Sequence, residues 1–253
     1  MNASAFVGVD VGSASVCAGV FDCAGTELAF AARPIQQFNP RVEVFEQSAA
    51  DIWGQTGAVV RAAIAQAGVA PQAVGGIGFD ATCSLVAVGV DGAPVSVAED
   101  ADPQRDSIMW MDHRAVAEAA AINATHDPAL ACVGGEVSVE MELPKILWLR
   151  QHLPERHAAV RRYFDLGDYM VWRAIGADVA SVCKWNYLAH EGRFSASLLD
   201  AVGVSDLPCL VPTEVRQLGS AAGRLGVRAC HGSRPARRHV VATGIIDAHA
   251  GRG

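Results

Sequence analysis

The first thirty residues fall into short apolar bursts separated by turn residues. Phe6-Val-Gly-Val-Asp-Val11 is a compact run that stops at Gly12-Ser13. Val16 to Phe21 makes a second run, Asp22-Cys-Ala-Gly25 a turn, and Thr26 to Ala32 a third run. Runs of this length between turn residues predict strands, and consecutive strands joined by tight turns predict an antiparallel meander. From Ser48 the period lengthens. Ser48 and Asp51 form a capping-box-like start, and Ile52, Val59, Val60 and Ile64 give the apolar stripe of a helix that Gly68 stops. Val74 to Phe79 and Leu85 to Val90 predict two more strands, with a turn at Asp91-Gly92. Residues 114–124 read as an Ala-rich helix and 144–153 as another, with Pro144 at its first position. Residues 157–176 carry a strand and then a helix, around Phe164 to Ile175.

Toward the C-terminus, 223–238 holds Arg224, Arg228, Arg234, Arg237 and Arg238 among Gly and Pro, the composition of a solvated connector or of an anion-binding patch. Residues 239–246 then read as a new buried strand. A strand needs neighbours for its backbone groups, so the expected division is 1–238 against 239–253, the latter opening a further unit. Left alone, such a strand predicts poor solubility or pairing with another chain, for which a homo-oligomer would serve.

Composition narrows the class. The 253 residues are 51% hydrophobic and 19% charged, which supplies a sizeable core and argues against disorder. The net charge of −7 offers no basic field for nucleic acid or anionic lipid. No apolar run approaches the roughly 18 residues that span a bilayer, and Asp10 interrupts the start too early for a secretory signal. Seven cysteines are scattered without a CxxC pair, as in reduced thiols. A cytoplasmic enzyme, or a piece of one, is the expectation.

The candidate chemistry lies where apolar runs end in small polar residues. GxxxxGK[ST], GxGxxG opening a helix, and Gly-x-Ser-x-Gly are all missing. In Gly8-Val-Asp-Val-Gly-Ser-Ala-Ser15, an Asp closes the first strand before Gly and hydroxyl residues, so backbone N–H groups can approach a phosphate while the carboxylate holds hydrated Mg²⁺. An ordinary hairpin turn reads the same way. Gly78-Phe-Asp-Ala-Thr-Cys-Ser84 ends a strand in groups able to bond a polyol. Trp110-Met-Asp-His-Arg114 suits sugar hydroxyls or caps a helix through Asp112. Gly134 to Glu142 is a glycine turn leading into an acidic stretch before Pro144-Lys145. Lys184 is one of only two lysines among 20 Lys+Arg, a compact ammonium in a chain that otherwise relies on Arg. In Gly244-Ile-Ile-Asp-Ala-His-Ala-Gly251, Asp247 follows an apolar strand and suits a general base; with His249 it also invites a metal-site reading.

Together and in this order, these segments resemble the N-terminal half of an FGGY-type carbohydrate kinase. Gly8-x-Asp-x-Gly-Ser13 is similar to the family's first phosphate motif, and Asp247 to its catalytic base. The Gly78–Leu85, Trp110–Ala115 and Gly134–Glu142 segments with Pro144-Lys145 are most like the ribulokinase branch, the D-ribulokinases above all. The resemblance implies an α/β fold of the actin/hexokinase/Hsp70 type: a ribonuclease-H-like domain with a mixed sheet and flanking helices, its second, nucleotide-binding domain largely missing. The implied reaction moves the γ-phosphoryl of ATP–Mg²⁺ to a primary hydroxyl of a ketopentose, giving the 5-phosphate. Asp247 would accept the proton and Asp10 would hold Mg²⁺. Gly12 and Ser13 would approach the phosphates, while Thr82, Cys83, Asp112 and Lys184 would line the sugar pocket. The implied partner is a small sugar, not nucleic acid or membrane.

Two departures stand out. The family's first hairpin usually carries an Arg where this chain has Cys17, a loss that should weaken nucleotide handling. Family members also run to about twice this length, so the 253 residues alone are expected to show little activity. The rival readings are a non-catalytic sugar-binding remnant and a metal-dependent hydrolase using Asp247 and His249. Stereochemistry, D- or L-ribulose or xylulose, stays open.

Overall fold

A computed structural model describes residues 4–181, 194–226 and 239–247. Strands β1 (Ala5–Val11), β2 (Ser15–Asp22) and β3 (Glu27–Pro34) pair antiparallel in sequence order, the meander expected from the pattern. On β1 the two-residue period decides everything: Val7, Val9 and Val11 are buried, while Phe6 and Asp10 face the other way and are exposed. After β4 (Gln37–Arg41) and β5 (Val44–Gln47), Ser48 caps α1 (Ala49–Gln66), its hydroxyl accepting from the Asp51 N–H. Ile52, Val59 and Ala63 bury the helix against the valine face of the meander. Gly68 leaves it at φ 63, a left-handed conformation that glycine adopts freely. β6 (Val74–Ala81) then returns parallel to β1, with Gly8 opposite Gly78 and Asp10 opposite Asp80.

β7 (Leu85–Val88), β8 (Ser107–Ile108) and β9 (Arg162–Asp165) join the fourth and fifth strands in a second sheet, ordered β4-β5-β8-β7-β9. It shares a separate core with α2 (Val116–Asn123) and α3 (Glu142–His152), built on Leu85, Ile108, Ile122 and Ile146. A short α4 (Pro154–Ala159) precedes β9. Directly after β9, Asp165 caps α5 (Leu166–Ile175), which packs beside α1 on the first sheet. Beyond it come β10 (Ala180–Ser181), α6 (Ala196–Val202), α7 (Leu207–Leu210), β11 (Val215–Arg216), β12 (Ala221–Arg224), β13 (Val240–Ala242) and β14 (Ile245–Ile246).

The first sheet is seven-stranded, ordered β12-β13-β6-β1-β2-β3, with β14 also pairing with β6. This corrects the expectation for residues 239–246. They form two short strands rather than one, and both lie parallel to β6, with Val241 opposite Ile77 and Ile245 opposite Asp80. The backbone groups therefore find neighbours within the chain, and the break expected at 238/239 does not separate these residues from the first sheet. The Ala-rich helix begins at 116 rather than 114. The next helix begins at Glu142, which puts Pro144 at its third position; the missing N–H there is still one that no helical carbonyl would have accepted. Most of the arginine-rich segment falls outside the described residues.

Candidate active site

Three strands end at one place. Asp10 is the penultimate residue of β1, Asp80 the penultimate residue of the parallel β6, and Asp247 the first residue after β14. Side-chain oxygens of all three lie within 4.8 Å of one another, with Asp10 and Asp247 exposed and Asp80 half-buried. Ligand sites in α/β sheets form at the carboxyl ends of parallel strands, and this is such an end. Two glycines bring the third carboxylate in. A Cβ on Gly244 would lie 2.8 Å from the Gly167 carbonyl oxygen, and one on Gly167 would lie 3.1 Å from that of Ile245. The first turn of α5 can touch the segment before Asp247 only because both positions lack side chains.

Like charges shape the electrostatics. Burial first, and then Asp247, hold the Asp10 carboxyl above its ordinary range. Asp80 is pushed up to about 6 by burial, then by Asp247 and Asp10. No cationic side chain among the described residues offsets this. Directly across from Asp10 on β2 stands the neutral Cys17, at the position where the resemblance calls for Arg. Asp80 Oδ1 is buried and has no hydrogen-bond partner among the described residues. Three crowded carboxylates with an orphaned oxygen are a donor set that fits a hard cation such as Mg²⁺.

The hairpin between β1 and β2 is held from outside. Its Gly12 N–H donates to the Ser15 carbonyl at 3.0 Å, and the Ser13 carbonyl accepts from Gln37 Nε2 at 2.5 Å and Gln47 Nε2 at 2.8 Å. Ser13 Oγ accepts from Trp110 Nε1 at 2.9 Å. Trp110 thus fixes the loop that carries Gly12 and Ser13. The N–H groups of Ser13 and Ala14 have no protein acceptor among the described residues, which leaves them for an anion.

The sugar-pocket candidates fare unevenly. Thr82 is buried next to the cluster, its N–H bonded to the Val11 carbonyl and its hydroxyl 3.3 Å from Ser84 Oγ. The half-buried Cys83 has its thiol pushed up to about 12 by burial and the nearby Asp165 and Glu142, so it stays protonated. Asp112 is corrected. It is 0% exposed; Oδ1 accepts from the Arg114 N–H and Nε, and Oδ2 accepts from Arg114 Nη2 and the Phe45 N–H. A carboxylate so saturated positions Arg114 rather than meeting a sugar. Nor does it cap α2, whose N-cap, Ala115, makes no side-chain bond. Arg114 in turn binds Glu46 at 2.7 Å and lies 4.9 Å from the centroid of the Trp148 ring. Lys184 and His249 lie outside the described residues.

Asp80 is the member of the carboxylate cluster that sequence reasoning did not single out. The signal was present as a repeat: Gly8-Val-Asp10 and Gly78-Phe-Asp80, each closing an apolar run.

Residues 5–228 match the sequence profile of the FGGY family of carbohydrate kinases, N-terminal domain. The chain belongs to that family. An FGGY carbohydrate kinase domain-containing protein of Homo sapiens is 38% identical over 259 residues, covering 97% of this chain and 46% of its own length. A D-ribulokinase of Saccharomyces cerevisiae is 36% identical over 279 residues, covering 97% of this chain and 37% of its own. The chain therefore spans less than half the length of these FGGY relatives. A xylulose kinase structure from Rhodospirillum rubrum superposes with a TM-score of 0.80 at 22% identity, over 96% of this chain and 49% of that one. The mixed sheet with flanking helices is thus the fold of FGGY N-terminal domains. Among the described residues no helix is long and apolar enough to cross a membrane.

Proposed function

We propose that this chain is the sugar-binding half of a D-ribulokinase, which phosphorylates the primary hydroxyl of a ketopentose at the expense of ATP. The observation that carries the reading is the placing of Asp247 against Asp10 at the strand ends, beside a hairpin whose Ser13 and Ala14 N–H groups have no acceptor among the described residues. The D-ribulokinase of Saccharomyces cerevisiae, alike along nearly the whole chain, supports the choice of sugar.

Asp247 accepts the proton as the sugar hydroxyl oxygen bonds to the γ-phosphorus and the bond to the β-phosphate oxygen breaks, releasing ADP. Its position matters as much as its basicity, since phosphoryl transfer relies on alignment and charge neutralisation. Mg²⁺ held at Asp10 would supply the neutralising charge. The N–H groups of Ser13 and Ala14 receive phosphate oxygens, and Thr82 and Cys83 offer hydroxyl and thiol to the sugar. Lys184 is the residue to which the resemblance assigns a further sugar contact.

Calorimetric titration of the 253-residue protein with D-ribulose, L-ribulose and D-xylulose tests this. D-ribulose is expected to bind most tightly and without ATP; no binding, or a preference for either other sugar, overturns the substrate. The same protein is expected to release little or no ADP from ATP with D-ribulose. Brisk sugar-dependent release would show that the chain needs no second half. The neutral Cys17 opposite Asp10 favours one second reading, a sugar-binding protein that has lost nucleotide use. Sugar binding with no ATP binding, even when the chain is fused to the C-terminal half of the yeast relative, would establish it.

A further inference from the structure

We infer that Asp80 is a direct ligand of the divalent cation, so that this chain holds the ion with three carboxylates, from β1, β6 and the segment after β14. The inference rests on the kinase reading but concerns a residue that this reading leaves without a task.

Three independent features point to it. Strand register sets Asp80 level with Asp10 on its parallel neighbour, and alternation turns both to the face away from α1. On the other side Ile245 is level with Asp80, so Asp247 emerges two residues on, past the end of the strand. Asp80 therefore lies centrally between the other two carboxylates. Its Oδ1 is buried without a hydrogen-bond donor among the described residues, a costly state for a carboxylate oxygen unless a ligand completes it. Finally, among the described residues the groups facing the cluster do not balance its charge. β2 presents Cys17 opposite Asp10, β6 itself offers glycines and apolar residues before Asp80, and β14 offers two isoleucines. A hard cation supplies what these elements do not, because it prefers oxygen donors and carries the charge they lack.

The test uses the 253-residue protein with Mn²⁺ as the probe for Mg²⁺, followed by the electron paramagnetic resonance signal of the free ion. Asp80→Asn and Asp10→Asn are compared with wild type and with Glu136→Gln, an exposed change outside the cluster. Thermal melts in EDTA and in excess Mg²⁺ run in parallel. Wild type and E136Q are expected to bind Mn²⁺ and to melt higher with Mg²⁺. D80N should bind at least about tenfold more weakly, as D10N does, and lose the Mg²⁺-dependent shift. In EDTA, D80N should melt above wild type because one of three repelling charges is gone, which also shows that it folds. If D80N keeps wild-type Mn²⁺ affinity while D10N loses it, Asp80 is no ligand and the kinase reading stands. If wild type itself binds no Mn²⁺, both this inference and the assignment of Asp10 to the ion fall.

Discussion

Asp106 shows how one buried carboxyl sets the acid response of the fold. Its Oδ1 accepts from the Ala49 N–H at 2.8 Å, in the first turn of α1, and burial pushes it up to about 6 against weak opposition from that bond and from Arg173. The folded protein thus holds this proton more tightly than the unfolded chain, whose carboxyls titrate near 4. Its contribution is complete below pH 4, declines as pH rises from about 4 to about 6, and is gone above that. Asp106→Asn keeps an oxygen for Ala49 and removes the charge. It is expected to raise stability at pH 7 by on the order of 1–3 kcal/mol and to flatten the stability curve between pH 4 and 6, as read by urea unfolding across that range. Glu142, fully buried and held well above its ordinary range by burial, follows the same logic on the other core.

At the scale of elements, an ion network ties β5 to the segments that flank β8 within the second sheet, while Val86, Val88 and Phe164 of that sheet pack into the apolar core of the first. β5 contributes Glu46, the stretch after β8 contributes Asp112 and Arg114, and the stretch before it contributes Arg105, which reaches Glu46 at 3.1 Å. Taking Arg114 away leaves buried Asp112 with the Phe45 N–H and no cation, and leaves Glu46 with Arg105 alone. Arg114→Ala is therefore expected to cost about 3–5 kcal/mol in chemical denaturation. The contact of α5 with the Asp247 segment is equally unforgiving, because a Cβ at Gly244 meets backbone and not a movable side chain. Gly244→Ala should cost about 1–3 kcal/mol by the same measurement and, in an active full-length form, lower turnover more than sugar affinity. Much of this was legible: the meander, α1 with its Ser48 cap, β6 and the β9–α5 pair all follow from periodicity and turn residues. The partners of residues 239–246 were not, because strand pairing across 160 residues leaves no local trace. Asp112 misled for a related reason. A Trp-x-Asp-x-Arg run shows charges but not whether they turn to solvent or to each other.

Over the whole molecule, the two cores divide the labour. One, under α1 and α5, aligns the strand ends that carry Asp10, Asp80 and Asp247; the other carries the second sheet and the acidic turn before α3. On the face of the first sheet away from α1, Phe6 (45% exposed), Phe30 (52%) and Val240 (38%) stand in the open in the half-length chain. Asp10 and Asp247 could be named as candidates from sequence because they stand at strand ends; their convergence could not, since it depends on where seven strands come to lie. The glycine pair joining α5 to the strand before Asp247 bears on heredity as well. Gly167 sits in a helix with no chemistry of its own, some eighty positions from the residue it accommodates. In a genetic selection for lost sugar phosphorylation by an active full-length form, alleles at Gly167 should recur alongside those at Asp247 if the proposed kinase role holds, and a geneticist mapping them would find two distant hits that trace to one point of contact.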